Sequence, residues 1–265
     1  MITNRRVAAL ARAEAVLLRR NPSALAGALI APLILVLVPF SNSPVPGQEG
    51  IPGTGALLVV GLTAFTLTLG VYYNLVTALV ARREEFVLKR LRTGEISDAE
   101  IIVGTAAPGV AIAWGQIALG LVAGFVLLDL GTPANLAWLL LAVLALAAGT
   151  ALCVLLAAVV TAWTSTVEMA QLTATPLLIL STSFSGALFP LGDLPEPLQR
   201  ISQALPLTSV VDLVRLGLTG TTATGDAVTL ASSFSPAILP VLILAAWLGA
   251  GVWATRRWFR WEPRR

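Results

Sequence analysis

This chain contains no histidine, one cysteine and one lysine, and only 12% of its 265 residues are charged. Each shortage removes a class of chemistry. With no histidine, and with Cys153 alone inside an apolar run, the chain has no disulfide framework, no His-based metal site and no histidine catalysis. The single lysine, Lys89 in "FVLKRL", is not preceded by the glycines of G-x-x-x-x-G-K-[ST], so there is no Walker A loop for nucleotide phosphates. Carboxylates are scarce in the long apolar runs. Asp129 lies at the end of one, and Glu100 and Glu168 stand where helix caps are expected, leaving no paired acids for a proton relay or an intramembrane enzyme. Soluble domains carry about 25% charged residues. A chain so poor in charge and 57% hydrophobic reads as an all-α integral membrane protein. Its formal charge of +3 does not point to nucleic acid, because no solvated basic domain presents it.

What the chain has instead is six runs long and apolar enough to cross a bilayer, roughly 22–40, 54–80, 98–128, 133–162, 166–189 and 236–255. Helix start signals coincide with their edges. Asn21 before Pro22, Thr132 before Pro133 and Ser235 before Pro236 each place an N-cap ahead of a proline at the first helical position. Ser97 with Glu100, and Ser165 with Glu168, fit the S-x-x-E capping box. Residues 1–21 carry Val7, Leu10, Val16, Leu17 and Leu18 among arginines and one glutamate, the pattern of a helix lying along a membrane surface near anionic lipid. They lack the apolar core and cleavage site of a signal peptide, so the segment is expected to be retained.

Basic residues set the orientation, because they resist translocation when close to a span. Arg5, Arg6, Arg12, Arg19 and Arg20 precede the first run, while Arg82, Arg83, Lys89, Arg90 and Arg92 separate the second from the third. Arg256, Arg257, Arg260, Arg264 and Arg265 follow the sixth, in a tail over 256–265. Six spans put all fifteen on one face and leave only Arg200 and Arg215 on the other, so a multi-pass protein of the plasma (inner) membrane with both termini cytoplasmic is expected.

Two connections stand out. Residues 81–95, within "ARREEFVLKRLRTGEISDAE", mix five basic and three acidic side chains with Phe86, Val87, Leu88 and Leu91. Arg82 to Arg92 can form one short helix, with Glu85 and Lys89 an i,i+4 pair and Gly94 as its stop. That exceeds what anchoring two span ends requires and fits a docking surface for a soluble partner. On the opposite face, "FPLGDLPEPLQRISQALPLTSVVDLVRLGLTG" is broken by Pro190, Pro195, Pro197 and Pro206, and Asp193 with Glu196 and Ser209 with Asp212 read as helix starts. Short re-entrant helices over 190–220, dipping into the outer leaflet, account for its half-apolar character.

Three features resemble one family, the membrane subunits of ABC-2-type ABC exporters of drugs, antibiotics, lipids and polysaccharides. "REEFVLKRLRTGEISDAEIIVGTAAP" is similar to the family's E-R-E-x-G-T-L-K-R-L-R-x-x-P-L-S stretch between helices two and three. "TSTVEMAQLTATPLLILSTSFSGALFPLGDLPEPLQRISQALPLTSVVDLVRLGLTG" is similar to its fifth helix and S-G-x-x-x-P-x-x-x-L-P-x-x-L signature. The third is the plan of six spans with both ends inside. Phe86-Val87 stands where the family has G-T, and Glu95-Ile96-Ser97 where it has P-L-S. The resemblance implies a dimer with a second permease copy or paralogue, two ATP-binding cassette subunits on the cytoplasmic face, and ATP with magnesium held by those subunits and no cofactor here. Arg82, Arg83, Glu84, Glu85, Phe86, Leu88, Lys89, Arg90, Leu91 and Arg92 would then form the coupling helix. It also implies a substrate path at the dimer interface between helices two and five, with Phe65, Thr68, Tyr72 and Asn74, and Thr182, Phe184 and Ser185, as candidate lining residues. Ordinary helix packing accounts for the same residues.

The resulting expectation is a permease subunit that exports a hydrophobic or amphipathic compound, powered by ATP hydrolysis in another chain. A secondary transporter would show inverted repeats, broken helices and an intramembrane ionisable site, which are not evident. A noncatalytic membrane binding or immunity protein shares the same outline.

Overall fold

The computed structural model describes residues 4–22, 25–26, 30, 54–93, 96–127, 136–186, 191, 194–222, 235–259 and 261. Among them no strand is present, and the elements are α1 (Asn4–Arg20), α2 (Thr54–Phe65), a π-helical segment (Thr66–Tyr73), α3 (Asn74–Glu84), α4 (Val87–Arg92), α5 (Asp98–Leu127), α6 (Leu136–Thr161), α7 (Val167–Ser183), α8 (Glu196–Ala204), α9 (Pro206–Thr219) and α10 (Ser235–Trp258). Among the described residues four helical stretches, 58–84, 98–126, 136–161 and 235–258, are long and apolar enough to cross a membrane, and the bent pair α8 and α9 makes a fifth if taken as one span. The four correspond to the second, third, fourth and sixth apolar runs. The first run lies almost wholly outside the described residues, as do Gly94, the Thr132–Pro133 start and Asp193.

The fifth run is shorter than its hydropathy predicts. α7 has 17 residues, about 25 Å at 1.5 Å per residue, against a hydrocarbon core of about 30 Å. The cause is local: Gly186 adopts φ 75°, a left-handed conformation that an α-helix cannot continue through. Beyond it, α8 and α9 meet at a 90° bend.

α9 does not lie on the surface. From Pro206 to Leu218 its side chains are almost all buried, against α6, α10 and α2. Two glycines permit the approach. A Cβ on Gly149 would stand 2.6 Å from Val210, and one on Gly217 would stand 2.5 Å from the backbone oxygen of Trp138. α9 therefore runs antiparallel to the first half of α6, and its corner with α8 sits beside the middle of that helix.

Caps follow the sequence in part. Ser97 N–H and Oγ donate to Glu100 Oε2 at 2.8 and 2.7 Å, the predicted capping box of α5. α7 is capped one residue later than expected: Met169 N–H donates to Thr166 Oγ1, not Ser165, at 3.4 Å. Ser209 and Asp212 do not start a helix at all, because Pro206, whose fixed φ suits the first helical position, has already started α9.

The π segment interrupts the most deeply buried span. Asn74 Nδ2 donates to the carbonyl oxygen of Gly70 at 3.4 Å, and α5 crosses at Gly109, where a Cβ would come within 3.1 Å of that same oxygen. π turns inside α-helices cluster at functional sites.

Candidate functional site

Three basic segments distant in sequence meet at one end of the helix bundle. α1 lies across α5, with Leu10 over Gly104, where a Cβ would stand 2.6 Å from the leucine side chain. Glu14, the one acid of α1, accepts a bidentate pair from Arg82: Nε to Oε1 at 3.0 Å and Nη2 to Oε2 at 2.9 Å. Forked arginine–carboxylate pairs fix geometry as well as charge. Arg92 lies 5.3 Å over the ring of Trp261 and 3.4 Å from Asp98, so the loop also touches the C-terminal segment. Beside these, Trp163, Trp253 and Trp258 form an exposed aromatic cluster with ring centroids 5.5 and 5.2 Å apart. Tryptophan beside arginine is the signature of a membrane–water boundary.

The segment 82–92 is not the single helix expected from its charge pattern. α3 ends at Glu84, a turn occupies Glu85 and Phe86, and α4 follows. Phe86 is the break, with φ 59° and ψ 13° in the left-handed region, and its side chain is half exposed. Glu85 pairs with Arg82 at 3.3 Å rather than supporting one continuous helix through Lys89.

The predicted docking residues divide by orientation. Glu85, Phe86, Lys89, Arg90 and Arg92 are exposed, and Glu84 and Leu91 are half-buried. Arg83 and Leu88 are fully buried and face the bundle. Arg83 donates from Nη1 to Thr161 O at 2.7 Å and from Nη2 to Thr164 O, capping the carbonyls at the end of α6. Arg83 is thus a clamp between α3 and the α6–α7 turn, and Leu88 holds α4 onto the bundle.

The residues predicted to line a path are mostly interior to this one chain. Thr68 and Tyr72 border a small cavity of about 20 Å³ that they share with Ser181 of α7 and Leu207 of α9. That volume holds about one water. Tyr72 Oη donates to Ala174 O at 3.2 Å, which ties the π segment to α7. Thr182 and Ser185 are buried and donate to Leu178 O and Thr182 O at 2.7 and 2.9 Å, as packing residues do. Phe65 sits in a separate cluster with Leu62, while Asn74 and Phe184 are half-buried.

Sequence reasoning passed over two features. One is Glu14, whose single negative charge amid arginines was the available signal. The other is Asp212, a carboxylate in the apolar stretch "TSVVDLVRLGL" whose assignment to a cap hid it. Both Asp212 Oδ1 and Ser209 Oγ are buried without a hydrogen-bond partner.

Compared with known families, residues 5–219 match the model described as ABC-2 type transporter. The match takes in α1 through α9 and stops before α10. No curated protein sequence gives a significant match.

Proposed function

The chain belongs to the ABC-2 type transporter family, and from that premise we propose that this permease, itself without catalytic chemistry, exports a hydrophobic or amphipathic compound using ATP hydrolysed by a separate subunit. The observation that carries the reading is the convergence of α1, the 82–92 turn and the C-terminal segment at one basic, tryptophan-bordered end. In this reading that end is cytoplasmic, and it offers Phe86, Lys89 and Arg90 to two ATP-binding cassette subunits, with a second permease completing a dimer. Phe86 is an apolar anchor on a tight turn, and its neighbours supply charge for orientation, the composition that concentrates binding energy in few residues. Movement imposed there reaches the interior through Arg83, which joins α3 to the turn before α7. The space between the π segment and α7, now closed around Thr68 and Tyr72, is where a path would open. Substrate must favour one of the two resulting states, since equal affinity for both shifts nothing.

The test is reconstitution with the ATPase subunit. Lys89→Glu combined with Arg90→Glu, both at exposed positions, is expected to abolish stimulation of ATP hydrolysis while the permease stays folded. Undiminished stimulation, or transport that proceeds without ATP, would overturn the proposal.

A further inference from the structure

A second cavity, of about 330 Å³, lies between the α8–α9 corner and the first half of α10. Its volume is at the lower end of the range for small-molecule sites. Ser209 and Asp212 border it from α9, Thr222 and Ser235 also line it, and Leu239 and Ile243 of α10 form an apolar wall. Ser209 and Asp212 are three residues apart and so share one face of α9.

Those two side chains pose the question. Ser209 Oγ and Asp212 Oδ1 are both buried with no hydrogen-bond partner, an arrangement that costs free energy unless something arrives to donate. Arg215 does not fill the role. It is one turn further along α9, does not border the cavity, and donates to Gly186 O at 3.3 Å. Its charge acts on Asp212 through space, and Asp212 Oδ1 keeps no hydrogen-bond partner.

A partner suited to this pair donates hydrogen bonds, carries positive charge and presents hydrocarbon to Leu239 and Ile243, beside the amide of Gln203 that also lines the cavity. A bare metal ion fits poorly, since one carboxylate is a poor ligand set and the described residues contain no cluster of three metal-ligating side chains. A protonated amine on an apolar body meets every requirement. We propose that this cavity is a binding site for an organic ammonium with an apolar tail, with Asp212 as counter-ion and Ser209 as a second acceptor. The wall supplied by α10 lies beyond the matched residues, which end at 219. The inference goes beyond the export reading and does not rest on it.

The experiment is a fluorescence titration of the full chain in lipid nanodiscs, without ATPase or ATP, using monodansylcadaverine and its N-acetylated, uncharged form. The charged probe is expected to bind at least about tenfold tighter than the acetylated one, the contribution of a charge-assisted hydrogen bond. Asp212→Asn should abolish that preference and Asp212→Glu should keep it. Leu239→Trp, at a position 55% exposed and so tolerant of a larger side chain, should fill the cavity and weaken both probes with the carboxylate untouched. Equal binding of the two probes by the natural chain, a preference that survives Asp212→Asn, or binding unchanged by Leu239→Trp would each overturn the proposal. Because no nucleotide or partner subunit enters the assay, failure here leaves the transport reading standing, and the reverse holds.

Discussion

Phe86 holds a backbone conformation that costs a side chain bearing Cβ about 1–2 kcal/mol. Its neighbours do not require an aromatic for the fold, since the ring is half exposed. Phe86→Gly is therefore expected to stabilise the chain by about 0.5–1 kcal/mol after glycine's greater unfolded-state freedom is subtracted. The same change should lower stimulation of the ATPase, and denaturation midpoints in detergent beside ATPase rates check both. Loss of stability together with unchanged stimulation would remove Phe86 from the docking surface. The resemblance places Phe86 where the family pattern has glycine but does not say why a glycine would suit the position, because a φ angle leaves no trace in residue type when the residue is not glycine. Arg83 was illegible for a related reason. Beside Arg82 it reads as another solvated charge, and only the three-dimensional end of α6 supplies the carbonyls its fork of donors satisfies.

Contacts of different kinds hold helix α1, among them the Glu14–Arg82 pair and the seat of Leu10 on Gly104. Gly104→Val should lift α1 from α5 at a cost of about 1–3 kcal/mol, the usual range for overpacking. Amide exchange in α1 should then accelerate, and Leu10→Ala added to it should restore protection by clearing the space. If exchange in α1 is unmoved by Gly104→Val, this contact does not position the helix. Elements of this kind were the most legible part of the chain. Apolar runs located the four long helices, and the S-x-x-E pattern located the start of α5 to the residue. α9 was less so. Ser209 and Asp212 have the spacing of a cap, but a proline three residues earlier had already started the helix, and local pattern alone cannot rank two starts that close. The early end of α7 was hidden likewise, since hydropathy continues past Ser183 while the backbone does not.

At the scale of the whole molecule, the segregation of fifteen basic residues onto one face was read from sequence, and the contacts among α1, the 82–92 turn and Trp261 bring their segments to one end. The compartment that end faces is testable because Cys153, the one cysteine, is only 6% exposed and gives little background. A membrane-impermeant maleimide should label Arg200→Cys in intact cells and Arg90→Cys only after permeabilisation. The reverse pattern would invert the topology. What sequence could not supply was the interior arrangement, in which the helix between residues 54 and 84 is central and α9 is packed along it and α6.

The π segment at the centre of that helix has a further consequence. An α-helix advances 100° with each residue, so a widened turn that gives up its extra residue, or takes in another, swings everything below it through about a quarter of a revolution. Arg83 and Phe86 hang from the lower half, and Tyr72, bonded to α7, sits within the widened turns themselves. A twist applied at the turn could thus pass up the rod as rotation without breaking its hydrogen-bonded spine, and the spare ring between residues 66 and 73 is the bearing on which it would turn.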